Sequence, residues 1–180
     1  MALEHAILVS LAERSASGYD LARRFDASIG FFWKATHQQI YKVLARMEAG
    51  GWVSATLIPG EGRPARREYA IAEPGRAELL RWSATQSAPE SIRMELAVKV
   101  RGIAYGNRAA VLDEVARHRE LHAQVLAYYE RDAERWFPDR DAVAEADLPA
   151  WLVLQGGIGH ERFLVDWCTQ ILTTLSGDAR

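Results

Sequence analysis

Gln38 and Lys42 are four residues apart on one face of a predicted helix, and both side chains can hydrogen-bond to the edges of nucleic-acid bases. Glutamine can make paired hydrogen bonds to adenine, and lysine can contact guanine or phosphate. The small Ala45 on the same face allows a close approach to a groove floor. This chemistry indicates nucleic-acid contacts, and the alternative is a plain surface helix with long polar side chains. The candidate contact residues of this helix are Thr36, His37, Gln38, Tyr41, Lys42 and Arg46.

The helix that must position these side chains has clear start and stop signals. Thr36 and Gln39 have the spacing of a capping box, in which each side chain satisfies a backbone N–H of the other residue. Gly50-Gly51 provides the stop. The apolar residues between these signals follow helical spacing and predict one buried face, formed by Ile40, Val43, Leu44 and Met47.

A second group of candidate contacts is found in a predicted β-hairpin. Residues 52–58 and 67–71 are rich in β-branched and aromatic residues, and the Gly- and Pro-rich segment 59–62 separates them. Arginines crowded near one exposed tip repel each other unless a polyanion screens them, so the tip suits phosphate or minor-groove contacts. The alternative is a solvated turn. The arginines concerned are Arg63, Arg66 and Arg67.

The charge distribution favours a polyanionic partner for one half of the chain. The 180 residues carry a formal net charge of -2. Residues 34–67, however, hold six basic and two acidic side chains. Residues 1–88 have a net charge of +2, and residues 89–180 have a net charge of -4. The positively charged N-terminal half could therefore bind nucleic acid, whereas the negatively charged C-terminal half could not.

Composition excludes several other classes of protein. Apolar residues make up 49% of the chain, which is typical of a globular protein and too high for a disordered one. There is no apolar run long enough for a membrane span and no basic segment at the start. The single cysteine, Cys168, excludes an internal disulfide framework and a cysteine-built zinc site. We therefore expect a cytoplasmic protein without membrane contact.

The order of predicted elements defines the fold class. Residues 1–88 contain helices at about 3–13, 18–30, 36–49 and 74–86 together with the hairpin, which is the layout of a winged helix-turn-helix. Ala77, Leu80 and Trp82 are available for packing on the last of these helices. Residues 89–180 are all helical. The predicted fold is mainly α with a small β-hairpin, an N-terminal winged helix-turn-helix and a C-terminal helical dimerisation domain.

The helical half contains three predicted helices and a candidate dimer seam. The first covers about 92–105, the second 108–136 with coiled-coil-like spacing, and the third begins at Asp147-Pro149. Gly156, Gly157 and Gly159 lie inside the third helix and suggest close helix–helix contact. The candidate seam residues are Leu154, Ile158, Val165, Leu172 and Leu175 of the last helix, with Leu96, Val100 and Ile103 as a possible partner face.

Other candidate sites are weaker. His118 and His122 have the i, i+4 spacing of a metal pair, with His160 or Glu161 as further ligands, but a structural role on a packing face is the more common outcome. Cys168 is expected to be a buried small hydrophobe. We find no catalytic triad, phosphate loop or acid pair, so neither an enzyme nor a cofactor is predicted. An aromatic effector pocket, or simply core packing, is predicted for Trp82, Trp151 and Trp167.

Several of these motifs together resemble the PadR family of transcriptional regulators. The resemblance is carried by Gln39-Ile40-Tyr41, Gly51-Trp52-Val53 and the segment from Gly62 to Tyr69, with Ser17-Gly18-Tyr19 and Phe31-Phe32-Trp33 as further typical motifs. It covers residues 1–86 strongly and the helical remainder in layout. Ala65 stands where a second basic residue is common, which suggests fewer wing contacts.

The resemblance implies a homodimer that binds a palindromic operator in double-stranded DNA. Such regulators are often repressors that a small, frequently aromatic, molecule releases. Two other classes remain open from the residues alone: a winged helix that binds a partner protein, and a small hydrolase or metal enzyme with a helical domain. A metal-responsive regulator that uses His118 and His122 is a further alternative.

Overall fold

The computed structural model describes residues 2–27, 35–59, 65–89, 93–139 and 142–176. The chain divides into two compact units, Met1–Pro89 and Glu90–Arg180. The first unit consists of α1 (Ala2–Glu13), β1 (Ala16–Ser17), α2 (Gly18–Ala27), α3 (His37–Ala49), β2 (Val53–Ile58), β3 (Arg66–Ile71) and α4 (Glu73–Ser83). The second unit consists of α5 (Glu95–Arg101), α6 (Arg108–Trp136) and α7 (Leu148–Ser176), with short 3₁₀ turns at Ile103–Tyr105 and Glu145–Asp147.

Local capping sets the start of both helices in the helix-turn-helix. The Gln39 amide donates to Thr36 Oγ1 over 3.2 Å, and the Thr36 amide donates to Gln39 Oε1 over 2.8 Å, so the predicted capping box is confirmed. The Asp20 amide donates to Ser17 Oγ over 3.1 Å, which confirms the predicted start of α2 near Gly18. The predicted end of α2 at Ile29 and Gly30 lies outside the described residues.

One core holds the first unit together. The four predicted apolar positions of α3 are all buried, and they pack with α1, α2 and the sheet. Burial of each such side chain contributes roughly 1.5–3 kcal/mol. The largest fully buried side chains of this core are Ile7, Leu8, Leu21, Phe25, Ile40 and Leu44.

The sheet has three strands rather than the two of the predicted hairpin. Its order is β1-β3-β2 and both pairings are antiparallel. In the hairpin Val53 pairs with Ile71 and Ile58 pairs with Arg66. The additional strand pairs Ala16 with Tyr69 and is only two residues long. The sequence does not predict this strand, because two residues are too few to show the alternation of a strand.

The predicted packing face of α4 is wrong at two of its three residues. Leu80 is 75% exposed and Ala77 is also exposed, whereas the ring of Trp82 stacks on His5 of α1. The helix instead places Gly75 and Leu79 toward the core and packs against α1. At Gly75 a Cβ would overlap the carbonyl oxygen of Trp52, so the absence of a side chain permits this close approach.

The second unit is an antiparallel pair of long helices with α5 packed against α6. The predicted span 108–136 is confirmed, and the Asn107 side chain caps it by accepting from the Ala110 amide over 3.1 Å. The predicted helix at 92–105 is shorter than expected, because α5 ends at Arg101 and a 3₁₀ turn follows Gly102; Ile92 lies outside the described residues. Among the described helices none is long and apolar enough to cross a membrane.

Three residues of the predicted dimer seam are wrong in that role. Leu154 and Leu96 are only 7% exposed within one chain, and Ile158 is 5% exposed. Cys168, which is buried as expected, forms a core with Leu96, and Leu172 and Leu175 pack against it. A stripe that α7 already buries inside its own chain cannot also face a second copy. Any seam on α7 must therefore use another face of the helix.

Candidate nucleic-acid interface

The solvent-facing side of α3 presents the side chains that the sequence assigned to it. Gln38, Lys42 and Ala45 are exposed, opposite the four buried apolar positions. Within the described part of the chain, Lys42 has no carboxylate within ion-pair distance. Its ammonium group therefore carries an uncompensated positive charge on the exposed face of a rigid, capped helix.

Tyr41 is fixed on the flank of α3 by the start of α2. The side chain is 47% exposed, and its ring lies so close to Gly18 that a Cβ on Gly18 would overlap it. The glycine at the first position of α2 therefore allows the tyrosine ring to rest against the backbone. This contact joins the two helices of the helix-turn-helix and limits the directions in which the phenol group can point.

The remaining α3 candidates have partners within the chain. The Arg46 guanidinium forms an ion pair with Glu4 of α1. Thr36 is exposed, and its hydroxyl oxygen serves the capping box. His37 is exposed at the first position of the helix. Gln38, Tyr41 and Lys42 therefore form the part of the predicted set that is most available for contacts to a ligand.

The wing arginines differ in their surroundings. Arg67 donates to Glu48 at the end of α3 over 2.5 Å, so this arginine ties the wing to the helix. Arg66 is 3.5 Å from a carboxylate oxygen of Glu68 and 4.0 Å from one of Asp20. Because both ion pairs are long, the N–H groups of the Arg66 guanidinium can still donate hydrogen bonds to a ligand. Arg63 lies outside the described residues.

The structure also groups arginines that the sequence reasoning did not single out. Arg14, Arg23 and Arg24 line a cavity of about 550 Å³ together with Arg66. The cavity lies where the end of α1, β1, α2 and β3 meet. These four positions are separated by up to 52 residues in the chain, and no sequence pattern links them.

The three tryptophans predicted to line an effector pocket lie in different surroundings. The Trp82 ring stacks on His5 with a centroid distance of 4.6 Å, in the first unit. Trp151 contacts Phe137, with ring centroids 5.3 Å apart, and Trp167 packs against the Leu96 core. The last two are sixteen residues apart on α7, or ~24 Å along the helix axis. They therefore do not line one small pocket within a single chain.

The stack on Trp82 belongs to a charged cluster that joins α1 to α4. His5 Nε2 lies 2.8 Å from Glu78 Oε1, and Arg81 donates two hydrogen bonds to the same carboxylate. The hydrogen bonds from Arg81 and then His5 lower the pKa of Glu78 to about 2. Glu78 therefore stays ionised at neutral pH and orients the imidazole on which Trp82 stacks.

Within the part of the chain that the structure describes, the two histidines of α6, His118 and His122, are not part of a set of side chains that could bind a metal ion, and His122 instead contacts a carboxylate. His122 Nδ1 lies 2.6 Å from Glu161 Oε2 of α7, and the His118 ring centroid is 6.0 Å from that of His122. Burial, followed by the charge of Arg117, lowers the pKa of His118. In the described ranges no group of three or more His, Cys, Asp or Glu side chains could hold a metal ion.

Two family models cover most of the chain. The model of the transcriptional regulator PadR-like family matches residues 7–81, and the model named virulence activator alpha C-term matches residues 92–176. A probable transcriptional regulator of Mycobacterium tuberculosis is 45% identical, over 97% of this chain and 98% of the relative. The negative transcriptional regulator PadR of Bacillus subtilis is 27% identical, over 98% of both chains.

Solved structures of Bacillus subtilis PadR have the same fold. The structure in complex with operator DNA has a TM-score of 0.83 and 25% identity, and covers 97% of this chain and 99% of that one. The structure in complex with p-coumaric acid has a TM-score of 0.75 and 26% identity, and covers 98% and 96%. The family consists of transcriptional regulators and not of enzymes. With a winged helix-turn-helix followed by a helical unit, and with 45% identity to a probable regulator over almost the whole of both chains, the chain belongs to the PadR-like family of transcriptional regulators.

Proposed function

We propose that this protein is a homodimeric, sequence-specific DNA-binding repressor that acts in the cytoplasm on a palindromic operator. Residues 1–88 bind DNA, and residues 89–180 dimerise and respond to an effector. The observation that carries the proposal is the exposed face of α3, where Gln38, Tyr41 and Lys42 stand opposite a fully buried face. The Bacillus subtilis relative solved with operator DNA supports the same partner for this chain.

The chemistry of this face fits the major groove of DNA. An α-helix fits into that groove, and Gln38 can pair with adenine while Lys42 contacts guanine or a phosphate. Ala45 adds no bulk on the exposed face, so the helix can approach the base edges. The wing arginines, Arg63, Arg66 and Arg67, contact phosphates or the adjacent minor groove.

Dimerisation uses the outer stripe of α7, which consists of Leu148, Leu152, Gly156, Gly159 and Phe163. These residues repeat at helical spacing on the face opposite the buried Leu154 and Ile158. Leu152 and Phe163 are 66% and 60% exposed, and a Cβ on either stripe glycine would meet nothing within 4 Å of this chain. A second helix can approach closely at these glycines, with apolar contacts on both sides, as a symmetric dimer requires.

Alanine substitutions on α3 test the DNA interface. Lys42→Ala should weaken binding to all duplexes, because the lysine charge acts on every sequence. Gln38→Ala should cost about 1–3 kcal/mol at one base pair of each half-site and leave other positions unaffected. Fluorescence anisotropy with a duplex selected from a random pool, and with single-base variants of it, measures both effects.

The matched control is Arg76→Ala on α4. Arg76 is exposed, and its substitution removes one positive charge from the same unit, on a helix that packs against α1 and lies outside both α3 and the hairpin. This variant should bind as the unaltered protein does. Unchanged affinity and preference in both α3 variants would remove the helix from the interface and favour a winged helix that binds a protein partner.

A small aromatic acid is the effector that we propose, since the Bacillus subtilis relative has been solved with p-coumaric acid. The effector could contact any one of three tryptophans, which do not form one pocket together: Trp82, Trp151 and Trp167. Titration of p-coumaric acid into the protein–DNA complex should lower the anisotropy of labelled operator. If the anisotropy stays constant up to millimolar p-coumaric acid, this effector is rejected.

A reporter gene placed behind the operator tests the direction of regulation. A repressor lowers its expression when the protein is present.

A further inference from the structure

The arginine cavity of the first unit, about 550 Å³ in volume, is lined almost entirely by charged and polar residues, and arginine is the most frequent of them. Ala16 is the one apolar residue among the described lining residues. The charged side chains in the lining are Arg14, Arg23, Arg24, Arg66, Asp20 and Glu68, which gives an excess of two positive charges. A cavity of this volume is in the range of ligand sites.

The two carboxylates of the arginine cavity are already engaged. Ser17 Oγ donates to Asp20 over 2.7 Å, and Ser15 Oγ donates to Glu68 over 2.7 Å. The ion pairs of both carboxylates with Arg66 are long, at 4.0 and 3.5 Å. These carboxylates therefore help to order β1 and the start of α2 in addition to their ion pairs with Arg66.

Arg24 is part of the wall of the cavity. Its guanidinium donates to the carbonyl oxygens of Arg14 and Ser15 over 2.9 and 3.0 Å, and so holds the end of α1 against α2. Burial, and then the nearby charge of Arg14, lowers the pKa of Arg24. Charges of both signs surround this guanidinium, because the nearby carboxylates of Asp20, Glu13 and Glu68 raise the same pKa.

Arg14 and Arg23 are the uncompensated cations of the cavity. In the described ranges neither guanidinium has a carboxylate within ion-pair distance, and the nearest aromatic partner is the Tyr19 ring, 5.9 Å from Arg23 Cζ. Two unpaired guanidinium groups at one concave surface repel each other. An anion between them would remove this repulsion and gain charge-assisted hydrogen bonds.

We propose that the arginine cavity is a phosphate-binding site. Guanidinium groups match the geometry of phosphate oxygens through paired N–H donors, and several of them together favour a multiply charged anion over a single carboxylate. The source of the phosphate is either the DNA backbone beside the wing, which rests on the proposed function, or a free phosphorylated small molecule.

Single substitutions of the two unpaired arginines test the site. Arg14→Gln and Arg23→Gln each remove one charge and none of the hydrogen bonds that hold the fold, and Arg76→Gln is the charge-matched control. If the phosphate comes from DNA, each variant lowers the slope of log affinity against log salt by about one unit, while the control does not. The affinity loss is then largest at low salt.

Calorimetric titration with inorganic pyrophosphate, without DNA, provides the second arm. If the source is a free phosphate compound, the unaltered protein and Arg76→Gln bind pyrophosphate saturably, and Arg14→Gln and Arg23→Gln bind it at least tenfold more weakly. If Arg14→Gln and Arg23→Gln behave like Arg76→Gln both in DNA binding and in pyrophosphate binding, the proposal is wrong. If the unaltered protein binds no DNA at all, the proposed function fails, and the pyrophosphate arm alone decides for or against the site.

Discussion

Truncation after Gln86 should give a monomeric fragment that binds a two-half-site operator far more weakly than the full chain. The fragment keeps the whole core of the first unit, because α1 to α4 end at Ser83. It lacks α7 and its outer stripe. Light scattering measures the mass of the fragment, and anisotropy with labelled operator measures its affinity.

The expected loss follows from the number of half-sites that one molecule can reach. In a dimer, binding of the first half-site makes the second binding event intramolecular, which increases affinity on the order of 10²–10⁴-fold. Half-sites lie about 34–36 Å apart for one turn of DNA, so the two recognition helices must be held in register. A separate monomer has no such advantage.

A duplex with a single half-site is the control for this experiment. The full chain should bind it about as weakly as the fragment binds the complete operator, because each then uses one α3 helix. A fragment that remains dimeric and retains full affinity would place the seam in the first unit. The helical unit would then need a different explanation.

Local rules were sufficient to predict the recognition helix from the sequence. The Thr36–Gln39 capping box and the four apolar positions are interactions within one or two helical turns, and the structure contains all of them. The span 108–136 is predictable for the same reason, since its apolar residues repeat with coiled-coil-like spacing. Helices with clear end signals and one apolar face can therefore be predicted from the sequence without knowledge of the elements that pack against them.

Features that depend on distant residues were not predictable in this way. The strand at Ala16–Ser17 exists because β3, about 50 residues later, offers it a free edge. The arginine cavity depends on the end of α1, on α2 and on β3 meeting at one place. The positions of Arg46 and Arg67 predict DNA contacts, but no local pattern indicates their ion pairs with Glu4 and Glu48.

The dimer seam illustrates a further limit of hydrophobic periodicity. α7 has two apolar stripes, one through Leu154 and Ile158 and one through Leu152 and Phe163. Periodicity identifies both as faces that prefer to be covered but does not say by which partner. The sequence predicts the stripe through Leu154 and Ile158 as the dimer seam. In the structure, α6 of the same chain covers that stripe.

Leu152→Asp should therefore convert the full chain to a monomer. In a symmetric dimer each substitution occurs twice, and burying an unpaired carboxylate costs several kcal/mol each time. At 1.4 kcal/mol per tenfold change, the dissociation constant of the dimer should rise by at least about 10³-fold. Because Leu152 is 66% exposed in one chain, the fold should remain intact, and circular dichroism should show unchanged helix content.

Ala109→Asp is the control for this variant, since it adds the same carboxylate at an exposed position in the first turn of α6, where a negative charge is favourable. Light scattering should find Ala109→Asp dimeric and Leu152→Asp monomeric at the same concentration. The affinity of Leu152→Asp for the two-half-site operator should fall to that of the truncated fragment, because both then bind through one recognition helix. A dimeric Leu152→Asp protein with full operator affinity would exclude the outer stripe of α7 as the seam and leave the exposed Leu121 and Tyr128 of α6 as the next apolar surface to test.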